Sequence, residues 1–95
     1  MKHQPRFDIA SETAARELRQ ISVMLADLDR TLQILDCDIA TEEERARVSN
    51  PSDAAYPMLA RMLTARRDRL KATVAALERR LVQTGALLSV EFENA

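Results

Sequence analysis

The stretch that decides the fold is LRQISVMLADLDRTLQILDCDI, residues 18–39. Its large aliphatic side chains recur at alternating intervals of three and four residues, the a/d heptad pattern of a helix that packs along one seam. The second half of the chain repeats this pattern, interrupted by Arg67 at an a position and with Thr84 at a d position. The predicted seam residues are Leu18, Ile21, Leu25, Leu28, Leu32, Leu35, Ile39, Leu63, Arg67, Leu70, Val74, Leu77, Leu81 and Leu88.

The segment SNPSDAAY, residues 49–56, separates the two heptad segments. Pro51 disfavours helical angles at Asn50, and Ser and Asp side chains compete for backbone bonds in turns. Two heptad helices joined by so short a turn must lie antiparallel. We therefore predict one all-α domain over residues 1–95, an antiparallel two-helix coiled-coil hairpin. It has a loose N-terminus at 1–7, a first helix at 8–48, a turn at 49–56, a second helix at 57–88 and a tail at 89–95.

The register of the hairpin can be predicted as well, because folding a chain back on itself pairs residues whose numbers have a constant sum. A sum of 102 pairs an a residue with a d residue along the seam and centres the turn on Pro51. This register predicts two cross-helix ion pairs, Asp38 with Arg66 and Asp29 with Lys71. We also expect the stem of Arg67 to cover Leu35 while its guanidinium reaches Asp36 or Asp38.

A two-helix seam leaves half of each leucine open to water, so we expect the hairpin to have a further partner. The simplest is a second hairpin, which makes a homodimeric four-helix bundle. Flexible and small side chains beside the seam are the candidates for this oligomer or partner face. They are Val23, Met24, Ile34, Cys37, Met58, Met62, Ala65, Ala72 and Ala76.

Composition excludes several other classes of protein. Hydrophobic residues make up 46% of the chain and charged residues 31%, as in folded proteins, while 3% aromatics and one glycine argue against a sheet. Cys37 is the only cysteine, which excludes an internal disulfide. No apolar run is long enough to span a membrane, and no signal peptide follows Lys2. We therefore expect a cytoplasmic protein with no membrane partner.

Side chains that could carry out catalysis are few. His3, the only histidine, lies in the predicted loose N-terminus, and Glu42 to Glu44 indicate a solvated acidic turn rather than a di-iron site, which would need histidine. Gly85 is the only glycine, so no glycine-rich phosphate loop exists. We expect no enzymatic activity, no cofactor and no metal.

The preferred functional hypothesis is a small non-catalytic interaction or scaffold module that acts through its coiled-coil faces. One alternative is a nucleic-acid-binding hairpin that uses a basic face of the second helix, formed by Arg61, Arg66, Arg69 and Lys71. Residues 9–47 carry nine acids and five bases, whereas residues 52–89 carry three acids and seven bases. Because these opposite charges complement one another within the hairpin, we rank nucleic acid below a protein partner.

A second alternative is a helical chaperone or adaptor that holds the amphipathic helix of a secretion or flagellar partner. Under the preferred hypothesis, the candidate surfaces for a heterologous partner lie at the turn and near the C-terminus. They are Glu42 to Glu44, Tyr56, Leu87, Leu88, Val90 and Phe92.

Overall fold

The chain is an all-α hairpin of two helices. A computed structural model describes the backbone of residues 5–94 and the side chains of residues 9–88. Helix α1 spans Pro5–Ala46, helix α2 spans Met58–Asn94, and this part of the chain contains no strand. The two helices pack against each other, which confirms the predicted fold class, while dimerisation into a four-helix bundle stays a prediction.

The chain divides into two compact units, each with a segment of both helices. The turn unit comprises residues 27–74, and the terminal unit comprises residues 1–26 together with residues 75–95. The contacts described below lie within one unit or the other.

Helix α1 begins earlier than the sequence predicts and ends sooner. It starts at Pro5, inside the segment 1–7 predicted to be loose, because the fixed φ and missing N–H of proline suit a first helical turn. Residues 1–4 of that segment lie outside the described residues. The helix ends at Ala46, two residues before the predicted end, because Arg47 adopts a left-handed backbone conformation with φ of 59°.

The bonds around Arg47 form a Schellman motif. The backbone N–H of Arg47 donates to the carbonyl of Glu44, and that of Val48 donates to the carbonyl of Glu43, both at 3.2 Å. These bonds satisfy two of the carbonyls that a helix end leaves without partners. Glycine usually occupies the left-handed position, so an arginine there gave no sequence signal for the helix end.

Helix α2 continues beyond its predicted end. It begins at Met58, one residue later than predicted, and runs through Gly85 to Asn94, so residues 89–94 of the predicted tail are helical. Ala95 lies outside the described residues. A glycine ends a helix by taking a positive φ, and Gly85 does not take one.

Two side chains organise the connecting turn. Asn50 accepts a hydrogen bond from the backbone N–H of Ser52 at 3.0 Å, and Asp53 accepts one from that of Ala55 at 2.9 Å. Both are Asx turns, in which a side-chain oxygen replaces a backbone carbonyl. The carbonyls of Asn50 and Asp53 accept from the N–H groups of Asp53 and Tyr56 at 3.0 and 3.1 Å. The turn chemistry predicted for this segment is therefore carried by Asn50 and Asp53.

Tyr56 connects the turn to both helices through contacts with Glu43 on α1 and Arg61 on α2. Its ring is buried, and its hydroxyl donates to Oε2 of Glu43 at 2.7 Å, a bond that raises the pKa of Tyr56. The guanidinium of Arg61 lies 5.3 Å from the ring centroid and donates to the carbonyl of Asp53 at 3.0 Å. The prediction that Tyr56 offers a surface to a partner is wrong, because the packing of the turn uses both its ring and its hydroxyl.

The predicted seam residues all lie at positions that are buried or half-buried. Ile21, Leu35 and Ile39 are buried on α1, and Ala60 and Thr84 are buried on α2. The other predicted seam residues are half-buried. No large side chain in the described part of the chain is fully enclosed, so the seam forms only a thin core.

Arg67 is half-buried in the seam. Its Nη1 donates to Oδ1 of Asp36 at 3.2 Å, one of the two partners predicted for it. Its Nε is buried and makes no hydrogen bond, although Oδ1 of Asp68 lies 3.5 Å away. The side chain therefore covers the seam with its stem and carries its charge to the edge.

Candidate interaction surface

Large apolar side chains are exposed mainly along one flank of the heptad pattern. Nine such side chains in the described part of the chain are exposed by 48–71%. Eight of them occupy c, f or g positions, and the exception, Val82, is at b. Scattered exposed hydrophobic residues are normal, but apolar side chains that share one arc of a helix are typical of a face that binds a partner. The eight are Ile9, Val23, Met24, Ile34, Met58, Leu59, Met62 and Leu87.

The residues predicted from sequence for the oligomer or partner face are all exposed in the single chain. Ala65, Ala72 and Ala76 are exposed along α2, and Cys37 is a free, exposed thiol on α1. Leu59 was missed because it belongs neither to the seam nor to the c and f positions that make up the predicted partner face on α2. Its g position, beside the seam, is the signal that could have identified it.

A shallow groove of about 370 Å³ lies in the turn unit, on the side of the seam that carries the g positions. Leucine side chains from α2 form one wall and polar side chains from α1 form the other. Glu42, at a d position, has little exposed side chain and pairs with Arg45 at 3.1 Å. In the acidic run Glu42 to Glu44, Glu42 therefore pairs with Arg45, and Glu43 accepts a hydrogen bond from Tyr56. The groove is lined by Asp38, Thr41, Glu42, Arg45, Leu59 and Leu63.

Two of the predicted cross-helix ion pairs are not formed. In the described part of the chain Asp38 does not pair with Arg66, and Asp29 instead accepts from Nε2 of Gln33 at 3.3 Å. Exposed ion pairs of this kind contribute little to the free energy of unfolding, because their attraction must offset the entropy lost in ordering two long side chains. Asp38 lines the groove and Arg66 occupies a g position on the same side of the seam, and both are exposed, so their opposite charges remain available on that side of the turn unit.

The four residues predicted for a nucleic-acid face are exposed but do not share one side of α2. At 100° per residue, Arg66 and Arg69 lie on the side of the groove, whereas Arg61 and Lys71 lie on the opposite side. Arg61 is also engaged by the ring of Tyr56 and the carbonyl of Asp53. The arrangement splits the basic cluster into two pairs instead of one continuous phosphate-binding face.

A polar cluster that the sequence analysis missed lies in the terminal unit. Glu17 accepts from Nε and Nη2 of Arg80 at 2.6 and 3.2 Å and from the hydroxyl of buried Thr84 at 2.8 Å. These bonds, first those from Arg80 and then that from Thr84, lower the pKa of Glu17 to about 2. Glu17 and Arg80 both occupy g positions, which flank the seam, and that shared position is the signal for their pairing.

Sites for other chemistry are not found in the described residues. No three His, Cys, Asp or Glu side chains within them are grouped as a metal ion would require. Neither helix, over its described length, is apolar enough to cross a membrane. His3 lies outside the described residues.

The chain matches no protein-family model, no curated protein and no solved structure. Its function is therefore inferred from the surfaces described above.

Proposed function

We propose that this chain is a small, non-catalytic interaction module of the cytoplasm and that its first partner is a second copy of itself. In this proposal two hairpins pack through exposed helical faces into a four-helix bundle. The observation that carries it is that eight of the nine exposed large hydrophobic residues in the described part of the chain occupy c, f or g positions of their helices, four of them in each unit. An apolar flank of this kind is stabilised when another helical surface covers it.

The accessible surface supports a partner. Folded monomers of 10.7 kDa expose about 5,500 Å², whereas this chain exposes 7,168 Å². An interface of ordinary size covers about 800 Å² on each chain, which is about half of this excess. A second copy would therefore bring the exposed area per chain towards that of an ordinary folded protein.

The ionisable groups that the fold brings together support a non-catalytic role. Glu17 is bonded to Arg80 and Thr84, Tyr56 to Glu43, and these bonds hold the helices and the turn in place. A catalytic acid or base needs a geometry that presents it to a substrate, whereas these groups face one another.

Sedimentation equilibrium over 1–200 µM tests the proposal. We expect the mass to approach twice 10.7 kDa with rising concentration. A mass that stays at that of one chain over the whole range would contradict self-association.

A further inference from the structure

The turn unit carries an apolar edge whose partner can be inferred from its charges. We define the apolar edge as Ile34 on α1 with Met58, Leu59 and Met62 on α2, all of them about half or more exposed. Leu59 also lines the groove between the two helices of this unit. Single exposed hydrophobic residues need no explanation, but four at c, f and g positions of one unit, one of them lining its groove, offer apolar area that a helix can cover.

Charges of opposite sign stand on the two helices beside this edge. Asp38 is on α1 and Arg66 is on α2, both at g positions, and no ion pair joins them within the chain. Their numbers add to 104, close to the sum of 102 that marks residues level with each other in the hairpin. The edge is therefore self-complementary in charge: one helix offers a carboxylate and the other a guanidinium at the same height.

We propose that this edge is the contact surface for a second copy of the chain, packed so that α1 of one copy lies on α2 of the other. A two-fold axis parallel to the helices of the turn unit places α1 of each copy against α2 of the other and leaves every residue at the same position along the axis. It thus places each Asp38 opposite the Arg66 of the other copy. The apolar edge of each copy is then covered by the other, and both ion pairs form between chains. This inference rests on the proposed self-association and specifies its surface and orientation.

A charge-reversal experiment tests the arrangement. Asp38→Arg and Arg66→Asp each place like charges at both contacts of the dimer, so each variant alone should dimerise on the order of tenfold more weakly or worse. Mixed in equal amounts, the two variants satisfy both contacts. We therefore expect the mixture to form a heterodimer about as tight as the parent dimer, identified by native mass spectrometry from its mass. If Asp38 and Arg66 instead paired within one chain, mixing the two variants would not restore the pair.

Matched controls use the opposite side of the same unit. Asp29→Arg and Lys71→Asp make the same charge changes at e positions, away from the apolar edge, and should leave the dimer dissociation constant within about twofold of the parent. Asp38 and Arg66 are exposed and unpaired with each other, so their replacement removes no hydrogen bond or ion pair between the helices. Circular dichroism checks the fold of each variant, and Met62→Ser provides an uncharged test, expected to weaken the dimer.

The outcomes separate this inference from the proposed function. If the parent dimerises and the single variants dimerise equally well, the edge is not the interface, although self-association stands. If the single variants are weakened and mixing does not restore the dimer, the proposed orientation is wrong. If the parent is a monomer at every concentration, both this inference and the proposed self-association fail.

Discussion

Arg47 shows how one residue sets the end of a helix. Its positive φ allows the two Schellman bonds, but a side chain in that conformation costs about 1–2 kcal/mol that glycine does not incur. The two Schellman bonds hold the backbone in this conformation, so the strain is tolerated.

We predict that Arg47→Gly raises the free energy of unfolding by about 1 kcal/mol, since it keeps the Schellman bonds and relieves the strain. Arg47→Ala is the matched control, because it removes the side chain and retains the cost, so it should change stability little. Urea unfolding of the three proteins measures the difference. A less stable Arg47→Gly would show that the arginine side chain, and not its backbone, stabilises the turn.

Glu17 links stability to pH. Its pKa is about 2 in the folded chain against an ordinary 4.5, so its contribution to stability is fully present above about pH 4.5 and is lost as the pH falls through about 2. We predict that Glu17→Gln melts below the parent at pH 7 and that the gap in Tm closes between about pH 4.5 and 2.

Glu12→Gln, at an exposed position on the same helix, should follow the parent at every pH. Thermal melts from pH 7 to 2 test the prediction, and a gap for Glu17→Gln that does not change with pH would contradict it.

Arg67 places a charged side chain at an a position of the apolar seam. Its buried Nε lacks a hydrogen-bond partner, while Asp36 is exposed enough to be solvated without it. We predict that Arg67→Leu raises Tm by roughly 5 °C and broadens the distribution of oligomers, because a polar residue in a seam restricts the packings available.

Native mass spectrometry should show one species for the parent and several for Arg67→Leu. Lys71→Leu, at an exposed position, should change neither property. A lower Tm for Arg67→Leu with a single unchanged oligomer would mean that the pair with Asp36 is itself stabilising.

At the scale of the elements, burial alternates sharply along α1. Leu35 is buried, whereas Gln33 and Ile34 beside it are exposed. We predict that Leu35→Ala lowers the free energy of unfolding by about 2–5 kcal/mol, because it leaves a cavity in a thin core. Gln33→Ala should stay within about 0.5 kcal/mol of the parent. Denaturant unfolding measures both, and equal losses would show that the seam does not follow the a/d register.

The two-helix fold was predictable because it depends on the spacing of apolar residues over many turns, and the residues with that spacing are buried or half-buried. The bond from Arg67 to Asp36 was predictable for the same reason, since the register places the two residues close together. The ends of the helices were not, because they depend on the backbone of single residues such as Arg47 and Gly85.

The polar contacts of the candidate site were harder to predict than its apolar face. Spacing indicates which side chains lie off the seam, and the predicted partner-facing residues are indeed exposed. Spacing does not indicate whether a hydroxyl such as that of Tyr56 turns inward, or whether Arg80 binds Glu17 instead of water. Whether a polar group bonds to another side chain or to water changes the free energy only slightly, so the outcome depends on the packing around each group.

For the whole molecule, the thin core and the large exposed area suggest that folding and self-association are linked. A chain that gains much of its buried apolar area from a second copy is stabilised by mass action as its concentration rises. In the proposed dimer, the opposite charges of the two halves would further favour the packing of α1 of one copy against α2 of the other.

The most direct test of this account is the melting temperature as a function of protein concentration. If a second copy covers the exposed flank, Tm should rise by about 5–10 °C over a hundredfold increase in concentration, because the folded state is a dimer and the unfolded state is not. A Tm that stays constant over that range would contradict the account, because it would show that each hairpin is stable without a second copy.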